Sequence, residues 1–287
     1  MGKDNTFSER FEGGFIGLLA VVTGVLLIYL AVQGPLFLGN IHYKSAPVIA
    51  NQIVGQDAVN LLLLSLISIA GGVALWLRRP IAKYLLLLTP LYLIYFVLSY
   101  TIGWEWSSPA HAGNSEKYFF HFLFILVAAL LTMFYALAVF PRDRAAHFNR
   151  KGLAAYSILL VFFLLVFAGM WTKEVLEVMA SGTTRGYDIA PTAFWLVRVF
   201  DLGFTIPLGL LSVYLLWARP SSSFPVQFMF YGFFTTMVVA VITMGIIMGL
   251  KKDPTFMLRD LLVFLVLGVI VFIGFFYILR GFRKTAS

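Results

Sequence analysis

The sequence predicts an all-α membrane protein, a polytopic bundle of eight transmembrane helices. Three observations predict it. Hydrophobic residues make up 61% of the 287-residue chain and charged residues only 12%, about half the charged share of a soluble domain. Eight mostly apolar stretches of the length that crosses about 30 Å of hydrocarbon fill nearly the whole chain. Lysine and arginine concentrate on alternate connections, the asymmetry that sets orientation in a bilayer.

The first span, 14–32, follows Met1–Gly13, whose mixed charge and lack of a cleavage-site pattern predict no removable signal peptide. A long connection, Gln33–Gln56, leads to the second span, 57–77, which opens on Asp57 and closes on Trp76 and Arg78-Arg79-Pro80. The third, 84–103, carries Tyr92, Tyr95 and Ser99 on one face, with Tyr100, Trp104 and Trp106 after them. The fourth, 118–140, places His121 on its more hydrophilic stripe with Tyr118, Ile125, Ala128, Thr132 and Tyr135. After the basic connection Pro141–Lys151, the fifth span is 153–172 and a second long connection covers Lys173–Thr192. The sixth, 193–217, contains Arg198, Asp201 and Pro207 and closes on Trp217-Ala218-Arg219-Pro220. The seventh, 226–250, has Gln227, Tyr231 and Thr235 at four-residue spacing, and the eighth is 259–279.

With both termini in the cytoplasm, the inner face holds 13 Lys and Arg against four Asp and Glu, and the outer face seven against eight. The net charge of +8 is thus a topology signal, with the lipid bilayer and its anionic lipids as partner; it calls for no nucleic acid. The absence of cysteine excludes disulfides, thiolate metal sites, iron–sulfur clusters and cysteine nucleophiles. It suits a prokaryotic plasma-membrane protein.

The basic connection divides a single membrane domain into halves, 1–141 and 142–287. Each half has an inward-running helix with an acid near its outer end (Asp57, Asp201) and a closing Trp and Arg-Pro. Two readings stand: a parallel duplication about the membrane normal, or the ordinary preference of Trp and Arg for interfaces. Gly55-Gln56-Asp57-Ala58-Val59, and Asp201-Leu202-Gly203-Phe204-Thr205-Ile206-Pro207-Leu208 in the second half, resemble an uncharacterised family of prokaryotic multi-pass membrane proteins. The resemblance implies the architecture and points to Asp57 and Asp201; it carries no function or cofactor.

Arg198 and Asp201, three residues apart, share a helix face and are expected to pair. Charges at that depth face a bundle interior or a wet cavity, so the pair either lines an outer vestibule or locks the sixth helix to its neighbours. Asp57 either caps its helix or, if Pro47–Gln56 extends that helix outward, lies several turns inside. Tyr92 and Tyr95 lie too deep for an aromatic belt, and their hydroxyls need partners, with Asp57, His121 or Asp201 available. His121 is a core hydrogen-bonding residue or, with His42, His111 and an outer acid, part of a metal site, for which no local spacing argues. Lys-bound retinal, bis-histidine haem and a nucleotide-binding loop find no support. The candidate ligand-binding residues are therefore Asp57, Tyr92, Tyr95, His121, Arg198 and Asp201. They predict an outward-facing polar cavity for transport or binding of a small solute or ion. The rivals are an intramembrane metal- or quinone-dependent enzyme and an accessory subunit, as a homo-oligomer or within a larger membrane complex.

Overall fold

The computed structural model describes residues 4–103, 113–141 and 144–284. Eight helices among them are long and apolar enough to cross a membrane: α1 (Arg10–Gln33), α2 (Ile49–Trp76), α3 (Ala82–Ile102), α4 (Ser115–Ala138), α5 (Arg150–Ser181), α6 (Pro191–Ala218), α7 (Phe224–Leu250) and α8 (Leu258–Gly281). The chain is an all-α polytopic membrane bundle, and its surface of leucine, valine, isoleucine and phenylalanine side chains is matched by lipid rather than water.

α1 runs along α2, α3 pairs with α4, and α4 closes back on α1. α7 packs on α2, α3 and α8, whereas α5 packs chiefly on α6. Burial follows this order: 61% of the apolar stretch of α3 is buried, but only 17% in α5 and α8. Those two helices present their faces to lipid. One apolar core lies at the acidic end, around Leu27, Ile53, Phe96, Phe122 and Phe233. A second lies at the basic end, around Leu86, Phe140, Phe224, Phe228 and Phe282.

Two boundaries differ from expectation in ways that matter. The helix containing α2 begins at Pro47, a residue suited to the first helical turn, so the extension read as one alternative is formed. α5 continues nine residues beyond its expected end, through charged residues that had suggested a loop. Lys173 and Glu177 form an i,i+4 pair at 3.4 Å, and the helix stops at Gly182, whose φ of 74° is left-handed and comfortable only for glycine.

Among the described residues π-helical turns interrupt α2 at Asn60–Leu64, close α3 at Ser99–Gly103 and interrupt α6 at Asp201–Thr205. Such turns insert a residue into the helical ladder and cluster at functional sites. The last of them sits just before Pro207, which has no N–H to continue the ladder. At the basic end a short ladder forms that the sequence did not suggest: β1 (Arg144–Ala146) pairs antiparallel with β2 (Phe282–Lys284), Arg144 opposite Lys284.

Candidate functional site

The extended helix carries Asp57 eight residues past Ile49, about 12 Å along the axis at 1.5 Å per residue. Its side chain is 2% exposed, and those of Gln56 and Asn60 1% each. Gln56 and Asn60 are four apart on one face, so the Gln56 amide donates to Asn60 Oδ1 at 2.9 Å. The Tyr92 hydroxyl, from α3, donates to Gln56 Oε1 at 2.7 Å. The expected carboxylate or histidine partner for Tyr92 is thus replaced by a neutral amide. Asp57 accepts the backbone N–H of Leu36, in the turn after α1, but its Oδ2 is buried without a hydrogen-bond partner among the described residues. Gly34 makes this approach feasible, because any side chain there would collide with the Asp57 carboxylate.

The turn over Asp57 is held shut by Asn114. Its Oδ1 accepts the His42 N–H at 2.9 Å, its Nδ2 donates to the Asn40 carbonyl at 2.9 Å, and its backbone N–H reaches the His42 carbonyl. Lys44 and Glu116 add an ion pair at 3.2 Å. Two connections at the acidic end therefore form one cover.

A second polar nest lies on α6. Trp171 Nε1 donates to Asp201 Oδ2 at 2.9 Å, and Thr205 Oγ1 to Asp201 Oδ1 at 3.2 Å, so both oxygens have a donor. Arg198 does not pair with Asp201 as expected. Its guanidinium bonds to Glu174 of α5 and lies over the rings of Trp171 and Phe194, at 4.1 and 3.9 Å. The reason is the length of α5: the extra turns bring Glu174 to the level of Arg198, and aromatic faces favour a guanidinium between them.

Tyr95 lies between the nests, its ring 6.3 Å from that of Tyr92 and 5.1 Å from that of Phe200. His121 stands apart, stacked on Tyr29 of α1 at 5.3 Å, with Nδ1 buried and unbonded. Among the described residues no three His, Asp or Glu side chains converge to hold a metal; His111, Trp104 and Trp106 lie outside those residues. The threonine hydroxyls of α7 serve its own helix, Thr235, Thr236 and Thr243 each bonding a carbonyl one turn back, whereas the Tyr231 hydroxyl meets that of Tyr156 on α5.

Of the six residues expected to line an outward-open cavity, Asp57, Tyr92 and Asp201 are at most 6% exposed, and Tyr95, His121 and Arg198 are partly buried. The sequence reading missed Gln56, Asn60, Trp171 and Glu174. The i,i+4 spacing of Gln56 and Asn60 was the available signal once the helix starts at Pro47. For Glu174 it was the Lys173–Glu177 spacing ahead of Gly182. No family model, no curated protein and no solved structure matches this chain. Fold and site define an integral membrane protein with a carboxylate enclosed inside its bundle.

Proposed function

We propose that the protein binds a proton or a small monovalent cation at Asp57 and carries it, alone or with a small solute, across the membrane. The observation that carries this reading is the buried Asp57 Oδ2, which has no hydrogen-bond partner among the described residues. No cation pairs with Asp57 among the described residues. An ionised carboxylate without counter-ion or full hydrogen bonding is costly inside a bundle, so the group must be neutralised by what it binds. The neighbouring amides of Gln56 and Asn60 and the π-helical turn beginning at Asn60 supply carbonyl oxygens and local give of the kind that a desolvated ion requires. Burial of the cluster beneath the Asn114 cover supports an occluded conformation, with opening at the acidic end.

In this reading the membrane is a prokaryotic plasma membrane, the excess of Lys and Arg at the basic end supports a cytoplasmic position for both termini, and α1–α4 and α5–α8 are duplicated halves. The test is ion and proton flux into proteoliposomes, with pH- and cation-sensitive dyes, for wild type and Asp57→Asn. Equal flux and equal ion binding in the two would sink the proposal. A second reading, an accessory subunit, is favoured by the full satisfaction of Asp201; stoichiometric recovery of a partner protein with inert vesicles would support it.

A further inference from the structure

At the opposite end of the bundle, Arg144 is the other charged group whose surroundings call for a partner. It is half-buried in the β1–β2 ladder. Its guanidinium carbon lies 5.5 Å from the ring centre of Tyr84 and 5.3 Å from that of Phe224. Of the five N–H donors of a guanidinium, Nη1 makes one long bond to the Phe282 carbonyl at 3.4 Å, and Nε is buried with no acceptor among the described residues. Among the described residues no carboxylate pairs with it, and apart from Asp143, which precedes it in sequence and lies outside the described residues, neither 141–153 nor 278–284 contains Asp or Glu. Those segments instead hold Arg150, Lys151, Arg280, Arg283 and Lys284.

Tyr84 is in the first turn of α3, Phe224 opens α7 and Phe282 follows α8 directly, so Arg144 stands level with helix ends, where headgroups meet the protein. We infer that Arg144, set on Tyr84 and Phe224 beside the β1–β2 ladder, anchors a site for a phosphate group, supplied by an anionic phospholipid headgroup or by free phosphate. The rings dehydrate one face of the cation, and the remaining donors present the planar fork that suits phosphate oxygens. The excess of basic over acidic residues in these segments adds attraction for the anion. This site is separate from Asp57 and stands whether or not that residue binds a cation.

The test uses the delipidated full-length protein in detergent, with dioleoyl phosphatidylglycerol, dioleoyl phosphatidylcholine or inorganic phosphate added, read by native mass spectrometry and thermal melting. Wild type is expected to take up phosphatidylglycerol in preference to phosphatidylcholine. Arg144→Gln should weaken the first bound phosphatidylglycerol at least about tenfold, as for loss of a charge-assisted hydrogen bond. Arg144→Lys should fall between, and Arg79→Gln, elsewhere on the basic end, should match wild type. A phosphate-dependent rise in melting temperature that Arg144→Gln abolishes, without any lipid preference, would assign the site to free phosphate. If wild type neither prefers phosphatidylglycerol nor responds to phosphate, or if a folded Arg144→Gln protein binds both as wild type does, the inference is overturned.

Discussion

α2 and α6 place an aspartate at the same station and treat it differently. Asp57 is ten residues from Pro47 and Asp201 ten from Pro191, each helix has a π-helical turn at or just after its acid, and each has a tryptophan in its last turn. Those tryptophans both bond back to the preceding long helix, Trp76 Nε1 to the Gly14 carbonyl of α1 at 3.1 Å and Trp217 Nε1 to Ser157 Oγ of α5 at 2.9 Å. Yet Asp201 has a donor on each oxygen and a cation nearby, whereas Asp57 has one backbone N–H and a bare oxygen. Depth in the membrane is therefore alike for the two acids, and what separates them is the acceptor capacity left unmet among the described residues.

The largest expected effect is at Asp57. Asp57→Asn should reduce cation or proton flux in proteoliposomes at least about tenfold. The melting temperature should be unchanged or higher, because a neutral amide removes a buried group that the fold does not fully satisfy. Asp201 should behave in the opposite sense. Asp201→Ala strands the Trp171 and Thr205 donors, and at about 1–3 kcal/mol for a buried polar group left unpaired it should lower thermal stability distinctly while sparing flux per folded molecule. If Asp57→Asn destabilises and Asp201→Ala abolishes flux, the assignment of the two acids is reversed.

What the sequence made legible follows from which forces are local. All eight spans are there because twenty apolar residues in a row need no tertiary information to be read. Asp57, Tyr92 and Asp201 were identifiable because polar groups within such spans have few alternatives to the interior. Their partners were not. Tyr92 meets Gln56 only because α2 begins at Pro47, and Arg198 leaves Asp201 for Glu174 only because α5 runs on to Ser181. Both depend on helix ends, where a few charged residues look the same in a loop and on a helix projecting beyond the membrane. The β1–β2 ladder joins positions 138 residues apart at its Arg144–Phe282 bond, and three-residue strands leave almost no pattern.

A smaller effect is expected at the cover over Asp57, which has no equivalent over Asp201 in the contacts of Asn114. Asn114→Ala removes two side-chain hydrogen bonds, of the order of 1 kcal/mol each. Hydrogen exchange across 36–46 should accelerate several-fold, with α3 and α4 unchanged. Exchange at wild-type rates would mean that Asn114 does not hold the cover closed, and the difference between the two aspartates would then rest on the bundle interior alone.

The smallest effect supplies a control for the comparison: a carboxylate outside the membrane-spanning segments. Asp253, in the turn between α7 and α8, receives Asn51 Nδ2 of the α2 helix at 2.6 Å and both the N–H and hydroxyl of Thr255, at 2.8 and 2.7 Å. Burial pushes its carboxyl up, but the hydrogen bonds from Thr255 and Asn51 outweigh burial and hold it below the ordinary carboxylate range. A group depressed in the folded state stabilises fully above its unfolded value and loses that contribution as pH falls through the folded one. The melting temperature should therefore decline modestly on acidification below about pH 4, and less so in Asn51→Ala, where the difference between folded and unfolded titration is smaller. An identical acid profile in that variant would show that the bond across to α2 contributes nothing, and that satisfied carboxylates in this bundle are held by their own turns rather than by neighbouring helices.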